Sequence, residues 1–159
     1  MGAGVIIGIG LDVVETTRFA RALGSAEEGF AGRVFTAREL MACASRADRV
    51  QALAARFAAK EACLKALGAG ILESALHEVE ILSMQSGAPQ LRLAGALAER
   101  ARGRGARRAH VSLTHQPGLA AAVVILEGTR TRTAPRPPRH GEGRGAATVT
   151  LETVSSGTW

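Results

Sequence analysis

At 159 residues, 47% of them apolar, the chain is long enough for one core and too apolar to be disordered throughout. Its formal charge of +6 raises a nucleic-acid reading, but with no tyrosine and 3% aromatic residues the stacking platform of a single-strand binder is nearly absent. Cys43 and Cys63 form no Cys-x-x-Cys pair and stand near no histidine at metal spacing, which argues against zinc and for a reducing compartment. An apolar N-terminal run without a basic leader, carrying Asp12, is not expected to be a signal peptide, so a cytoplasmic location is expected. No window approaches the roughly 20 apolar residues of a membrane-spanning helix.

In chain order, residues 4–14 are short, β-branched and apolar, and read as a largely buried strand. Alternation places Val5, Ile7, Ile9, Leu11 and Val13 on one face, and Ile6, Gly8, Gly10, Asp12 and Val14 on the other. Glycines beside a carboxylate leave room for another segment or a ligand. A helix carrying Arg18 and Arg21 is predicted from Glu15 to about Leu23, and Thr36-Ala-Arg-Glu39 has the form of a capping box that starts another. The alanine-rich stretch from about Arg49 to Leu67 is the strongest helix, with Gly68 and Gly70 suited to its C-terminal cap. Strands over 79–83 and 90–93 flank a Ser86–Pro89 turn, and a helix follows over about 94–102. Two further strands, 109–114 and 119–127, flank His115-Gln-Pro-Gly118 as a hairpin. The fold class expected is α+β.

Residues 1–127 thus form the expected domain, and 128–159 read as a flexible tail rich in Thr, Arg, Pro and Gly. Five arginines against two glutamates place +3 of the +6 in that tail, so the domain itself is only mildly basic. Within the tail, 147–154 alternates as a strand does, although disorder is the favoured reading there.

The helix Arg56-Phe-Ala-Ala-Lys-Glu-Ala-Cys-Leu-Lys65 holds the densest chemistry. Leu53, Phe57, Leu64 and Leu67 define its packing stripe, and Lys60 falls in the middle of it. Glu61 and Lys65, four residues apart, could form a simple helical ion pair. Yet the chain has 20 basic residues and only two lysines, Lys60 and Lys65, which flank Glu61. Positions that escaped replacement by arginine suggest a need for a compact ammonium charge. A carboxylate near two ammonium groups is expected to stay ionised, and Asp12 and Glu61 together would suit Mg²⁺, which takes one or two carboxylates and completes its shell from phosphate and water. Helix capping and turn roles for Asp12 remain open on spacing alone, as does a structural role for His115.

Three segments resemble the holo-acyl-carrier-protein synthases, small 4′-phosphopantetheinyl transferases: Gly8-Ile-Gly-Leu-Asp12-Val-Val-Glu-Thr-Thr-Arg18, Arg56-Phe-Ala-Ala-Lys-Glu-Ala-Cys-Leu-Lys-Ala-Leu-Gly68, and His110-Val-Ser-Leu-Thr-His115. The resemblance covers residues 4–127 and implies a small antiparallel sheet packed with a long central helix and shorter helices. It implies that Asp12 and Glu61 hold Mg²⁺ against the pyrophosphate of coenzyme A, with Lys65 neutralising the phosphate under attack. Arg56, Lys60, Gly68 and His115 are implied at the coenzyme, and Glu61, Lys65 and His115 in catalysis, with the base that deprotonates the serine left open between Glu61, His115 and water on the metal. It further implies a homotrimer with sites between subunits, and an acidic apo acyl carrier protein of fatty-acid or polyketide synthesis docking on Arg18 and Arg21. Leu119 departs from the aromatic residue often found at that hairpin position, and the tail has no counterpart. The competing readings are a nucleic-acid module built on the tail and on the arginines of 100–108, and a generic Mg²⁺-dependent nucleotide hydrolase. The first leaves the signature helix unexplained, and the second lacks a Gly-x-x-x-x-Gly-Lys-Ser/Thr loop.

Overall fold

The structure, a computed structural model, describes residues 4–24, 29–70, 73–129, 149–150 and 152–153. Strand β1 (Val5–Glu15) leads into helix α1 (Thr16–Gly24), followed by α2 (Phe30–Val34), α3 (Ala37–Cys43) and the long α4 (Arg49–Leu67). A 3-10 turn at Glu73–Glu78 precedes β2 (Val79–Ser83), β3 (Pro89–Leu93) and α5 (Gly95–Gly103). The hairpin β4 (Ala106–Gln116) and β5 (Leu119–Gly128) and two short strands, β6 (Val149–Thr150) and β7 (Glu152–Thr153), complete the architecture. None of the described helices is long and apolar enough to cross a membrane.

Among the described residues the strands form two sheets, one ordered β1-β5-β4-β7 and one ordered β2-β3-β6. All pairings are antiparallel except β4 with β7. The α+β reading therefore holds. Residues 149–150 and 152–153, inside the segment read as a flexible tail, pair instead with the edges of β3 and β4, in the stretch whose alternation had suggested a strand. The arginine-rich residues 130–148 of that tail reading lie outside the described residues.

Helix α4 is the organising element. Where an amphipathic helix buries one stripe, this one is buried nearly all round, because the first sheet covers one flank and α1, α3 and β2 cover the others. Close approach to β1 requires residues without side chains: a Cβ at Gly8 would lie 2.1 Å from the Ala66 carbonyl oxygen, and one at Gly10 would lie 1.9 Å from that of Ala62. The two glycines beside Asp12 therefore admit a helix and not a ligand. Their effect is to bring Asp12 alongside the last turns of α4.

The other face of β1 was expected to be buried, and it is not. Ile9, Leu11 and Val13 are exposed, since α4 covers only one side of the sheet. A register shift between Ile6 and Gly8 also reverses the alternation there, so Ile6 is exposed while Ile7 packs against the core.

All four phenylalanines of the chain meet at the opposite flank. Phe19 of α1 lies 6.0 Å from Phe30, 6.3 Å from Phe35 and 5.6 Å from Phe57, ring centre to ring centre. They anchor α1 on α4. Thr16 fixes the start of α1, its amide donating to the Gly118 carbonyl and its hydroxyl accepting from the Gly118 amide, each at 3.1 Å.

Candidate active site

The first cluster forms where β1 crosses the C-terminal half of α4. Lys65 Nζ lies 2.7 Å from Asp12 Oδ1 and donates to the Leu11 carbonyl at 3.0 Å. Glu61, one turn back on α4, is 6% exposed, and among the described residues no donor reaches its carboxylate. Its oxygens keep a small opening to solvent, because no fully enclosed polar side-chain atom lacks a partner among the described residues. Burial raises the pKa of Glu61, the neighbouring Asp12 carboxylate raises it further, and Lys65 only partly offsets them. Of the two ammonium groups expected beside Glu61, only one acts on it. Lys65 is committed to Asp12, and Lys60 points elsewhere.

Lys60 is fully buried, in a second environment on the far side of the helix. Its ammonium group pairs with Glu39 Oε2 at 2.8 Å and donates to the carbonyls of Leu76 and Val79, while the Phe35 ring centre lies 5.6 Å away. Glu39, also fully buried, accepts in addition from the amides of Thr36 and Ile81. Desolvation depresses the Lys60 pKa, with Glu39 pulling the other way. Every polar atom of this pair is spoken for, so the expected contact of Lys60 with a coenzyme is replaced by a structural ion pair. The capping box read at Thr36–Glu39 is present, but its glutamate has this second task, which local spacing does not reveal.

The remaining predicted residues divide between the ends of the molecule. Arg56, 6% exposed, donates to the carbonyls of Ile81 and Ala52 and to Ser83 Oγ. It lines a cavity of about 110 Å³ with Arg46, Ser83, Pro89, Leu113 and His115. His115 Nε2 lies 3.0 Å from Asp48 Oδ2, and Arg46 grips the same carboxylate with two hydrogen bonds of 2.8 Å. Neither Arg46 nor Asp48 was singled out from the sequence. Gly68 ends α4 with φ 58°, its carbonyl accepting from Arg100, while Arg104 Nη1 donates to the Leu67 carbonyl at 2.7 Å. That left-handed conformation favours glycine at this position. Arg18 and Arg21 stand exposed on α1 and pair with no carboxylate among the described residues. Leu119 is 42% exposed at the mouth of the β4–β5 hairpin. Cys43 and Cys63 are free and buried, with the Cys63 thiol pushed up to about 12 by burial, so neither is poised as a nucleophile.

A family model described as the 4′-phosphopantetheinyl transferase superfamily matches residues 8–124, a span that includes both clusters. The chain is 44% identical over 124 residues to the holo-[acyl-carrier-protein] synthase of Maridesulfovibrio salexigens, covering 77% of this chain and 99% of the relative. It is 47% identical over 128 residues to that of Anaeromyxobacter sp. strain K, covering 79% and 98%. The chain belongs to the holo-[acyl-carrier-protein] synthase family.

It is therefore an enzyme, a phosphopantetheinyl transferase by family. The fold agrees: the crystal structure of the synthase from Neisseria meningitidis superposes with a TM-score of 0.69 at 33% identity, covering 77% of this chain and 98% of that one. The Helicobacter pylori synthase, solved in complex with coenzyme A, superposes at 0.64 with 28% identity, covering 74% and 98%.

The donor set also fits the metal that the family reading implies. Among the described residues no group of three or more His, Cys, Asp and Glu gathers to form a self-sufficient metal site. What the chain offers is two adjacent carboxylates, one of them buried without a donor. That set leaves a hard divalent cation most of its shell for phosphate and water, as Mg²⁺ prefers.

Proposed function

We propose that this synthase transfers the 4′-phosphopantetheine group of coenzyme A to a serine of an apo acyl carrier protein, with Mg²⁺, releasing adenosine 3′,5′-bisphosphate. The observation that carries the reading is the Glu61 carboxylate, buried beside Asp12 without a donor, with the Lys65 ammonium at its side. Such an arrangement destabilises the free protein and is relieved by a bound cation.

In the reaction, the serine hydroxyl gives up its proton to a base, Glu61, His115 or water, and its oxygen forms a bond to the coenzyme's pantetheine-bearing phosphorus. The bond from that phosphorus to the bridging oxygen breaks, and adenosine 3′,5′-bisphosphate departs with the electron pair. When bound, Mg²⁺ would supply positive charge against the diphosphate oxygens. Asp12 and Glu61 would hold it, and Lys65, 48% exposed and close to both, would add a mobile ammonium to balance charge on the phosphoryl oxygens. His115 and Arg56 line the neighbouring cavity and would bind the coenzyme there, with His115 Nε2 facing Asp48.

Asp12 and Glu61 lie where β1 meets α4, while Arg56 and His115 lie beyond β5, toward β2 and β3. A site using both groups is most simply completed between subunits. The uncovered face of the first sheet supplies the means, because Ile9, Leu11 and Val13 are 63%, 62% and 54% exposed and stand opposite Ile125, Val123 and Ala121 of β5. A homotrimer formed through that apolar face is the assembly we infer, with Arg18 and Arg21 facing an acidic carrier protein in the cytoplasm.

Incubation with coenzyme A, Mg²⁺ and several apo carrier proteins, followed by intact mass measurement, tests the function. The expected result is one added phosphopantetheine per carrier. No added mass on any of them would refute it.

A further inference from the structure

Two guanidinium groups, Arg46 and Arg56, and the imidazole of His115 line the cavity between α4, β2 and the end of β4, and among the described residues no carboxylate lines it. A concave site of this composition attracts anions. One acid nevertheless holds two of these three side chains: Asp48, from outside the lining, accepts two hydrogen bonds from Arg46 and faces His115 Nε2, so that its Oδ2 is shared between them. Arg46 and His115 depress the Asp48 pKa far below the usual carboxylate range, so the charge is present at any physiological pH.

We propose that Asp48 is a built-in competitor for this anion site: it neutralises Arg46 and occupies His115 Nε2 in the free protein, and is displaced when a phosphate group of coenzyme A enters. The proposal rests on the transferase reading above. Three observations support displacement over permanent bracing. All three side chains are partly exposed, 44% for Arg46, 39% for Asp48 and 31% for His115, so water screens the pairs and each is weak. A phosphate carries more charge and more acceptor oxygens than a carboxylate, and draws the guanidinium and the imidazole donor more strongly. Asp48 is also the N-cap residue of α4 yet accepts no side-chain cap bond, so the helix start is not held by its carboxylate. The physical consequence is lower coenzyme affinity than the cavity alone would give, and faster release of the departing bisphosphate.

The experiment is calorimetric titration of the full chain with coenzyme A and, separately, with adenosine 3′,5′-bisphosphate, at low and at high salt. Asp48→Asn keeps the shape and the capping preference while removing the charge. Asp48→Ser serves as a second variant, and Glu99→Gln, which removes an equal charge from the exposed surface of α5, is the control. Both Asp48 variants should bind each ligand about threefold to tenfold more tightly than wild type at low salt, with the gain shrinking as salt rises. Glu99→Gln should bind as wild type does. Unchanged or weaker binding by folded Asp48 variants would overturn the proposal, and an equal gain in Glu99→Gln would reduce it to net charge. Failure of wild type to bind coenzyme A at all would instead overturn the transferase reading.

Discussion

Neighbouring residues on one helix, Lys60 and Glu61, meet opposite treatment. Lys60 is sealed in with a counter-ion, two carbonyls and an aromatic ring, while its partner Glu39 receives two backbone amides as well. Glu61 is almost as deeply buried, yet it has a like charge beside it and no donor among the described residues. Both are charges in the interior, so burial does not separate structure from function here. Satisfaction does: the ion pair with every atom partnered stabilises the fold, and the carboxylate left short awaits something the chain does not provide.

The contrast predicts that the two positions fail in different ways. The largest effect is expected at Glu61. Glu61→Gln should lower phosphopantetheine transfer by at least about a hundredfold, while the metal-free protein melts no lower than wild type. Next comes Lys60→Met, which strands Glu39 and should cost roughly 3–5 kcal/mol in urea unfolding. The double variant Lys60→Met/Glu39→Leu should recover most of that loss, and any fall in transfer should follow stability alone. Gly10→Ala should cost about 1–3 kcal/mol, because its new methyl meets the Ala62 carbonyl. By prising β1 from α4 it should also weaken metal binding beyond the stability loss.

The smallest effect is in pH. The raised Glu61 pKa means that protonation is tighter in the folded state, so its contribution to stability is present in acid and lost as pH rises through the raised value. Glu61→Gln should therefore match wild type in melting temperature at low pH and exceed it at neutral pH by a few degrees, on the order of 3 °C. Thermal melts of the metal-free proteins across pH read this directly.

Much of this was legible in the chain of residues. The strand, the long helix and the final hairpin follow from periodicity, and Asp12, Glu61 and Lys65 converge as expected because Gly8 and Gly10 let β1 press onto α4. The fate of Lys60 was hidden, since its counter-ion lies 21 residues away on α3 and only packing reveals the pair. Asp48 and Arg46 were hidden for a similar reason: their tie to His115 spans 67 residues and has no motif. The exposed face of β1 misled because a run buried on both sides and a run buried on one side against a helix look alike when the outer residues are also aliphatic.

Transfer is predicted to depend on a cation held jointly by Asp12 and Glu61. Its most direct test is titration of Mn²⁺, as a spectroscopic stand-in for Mg²⁺, into the protein with coenzyme A present, followed by electron paramagnetic resonance for wild type, Asp12→Asn and Glu61→Gln. One saturable site per chain is expected in wild type, and its loss in either folded variant. Wild-type Mn²⁺ affinity in both variants would contradict it.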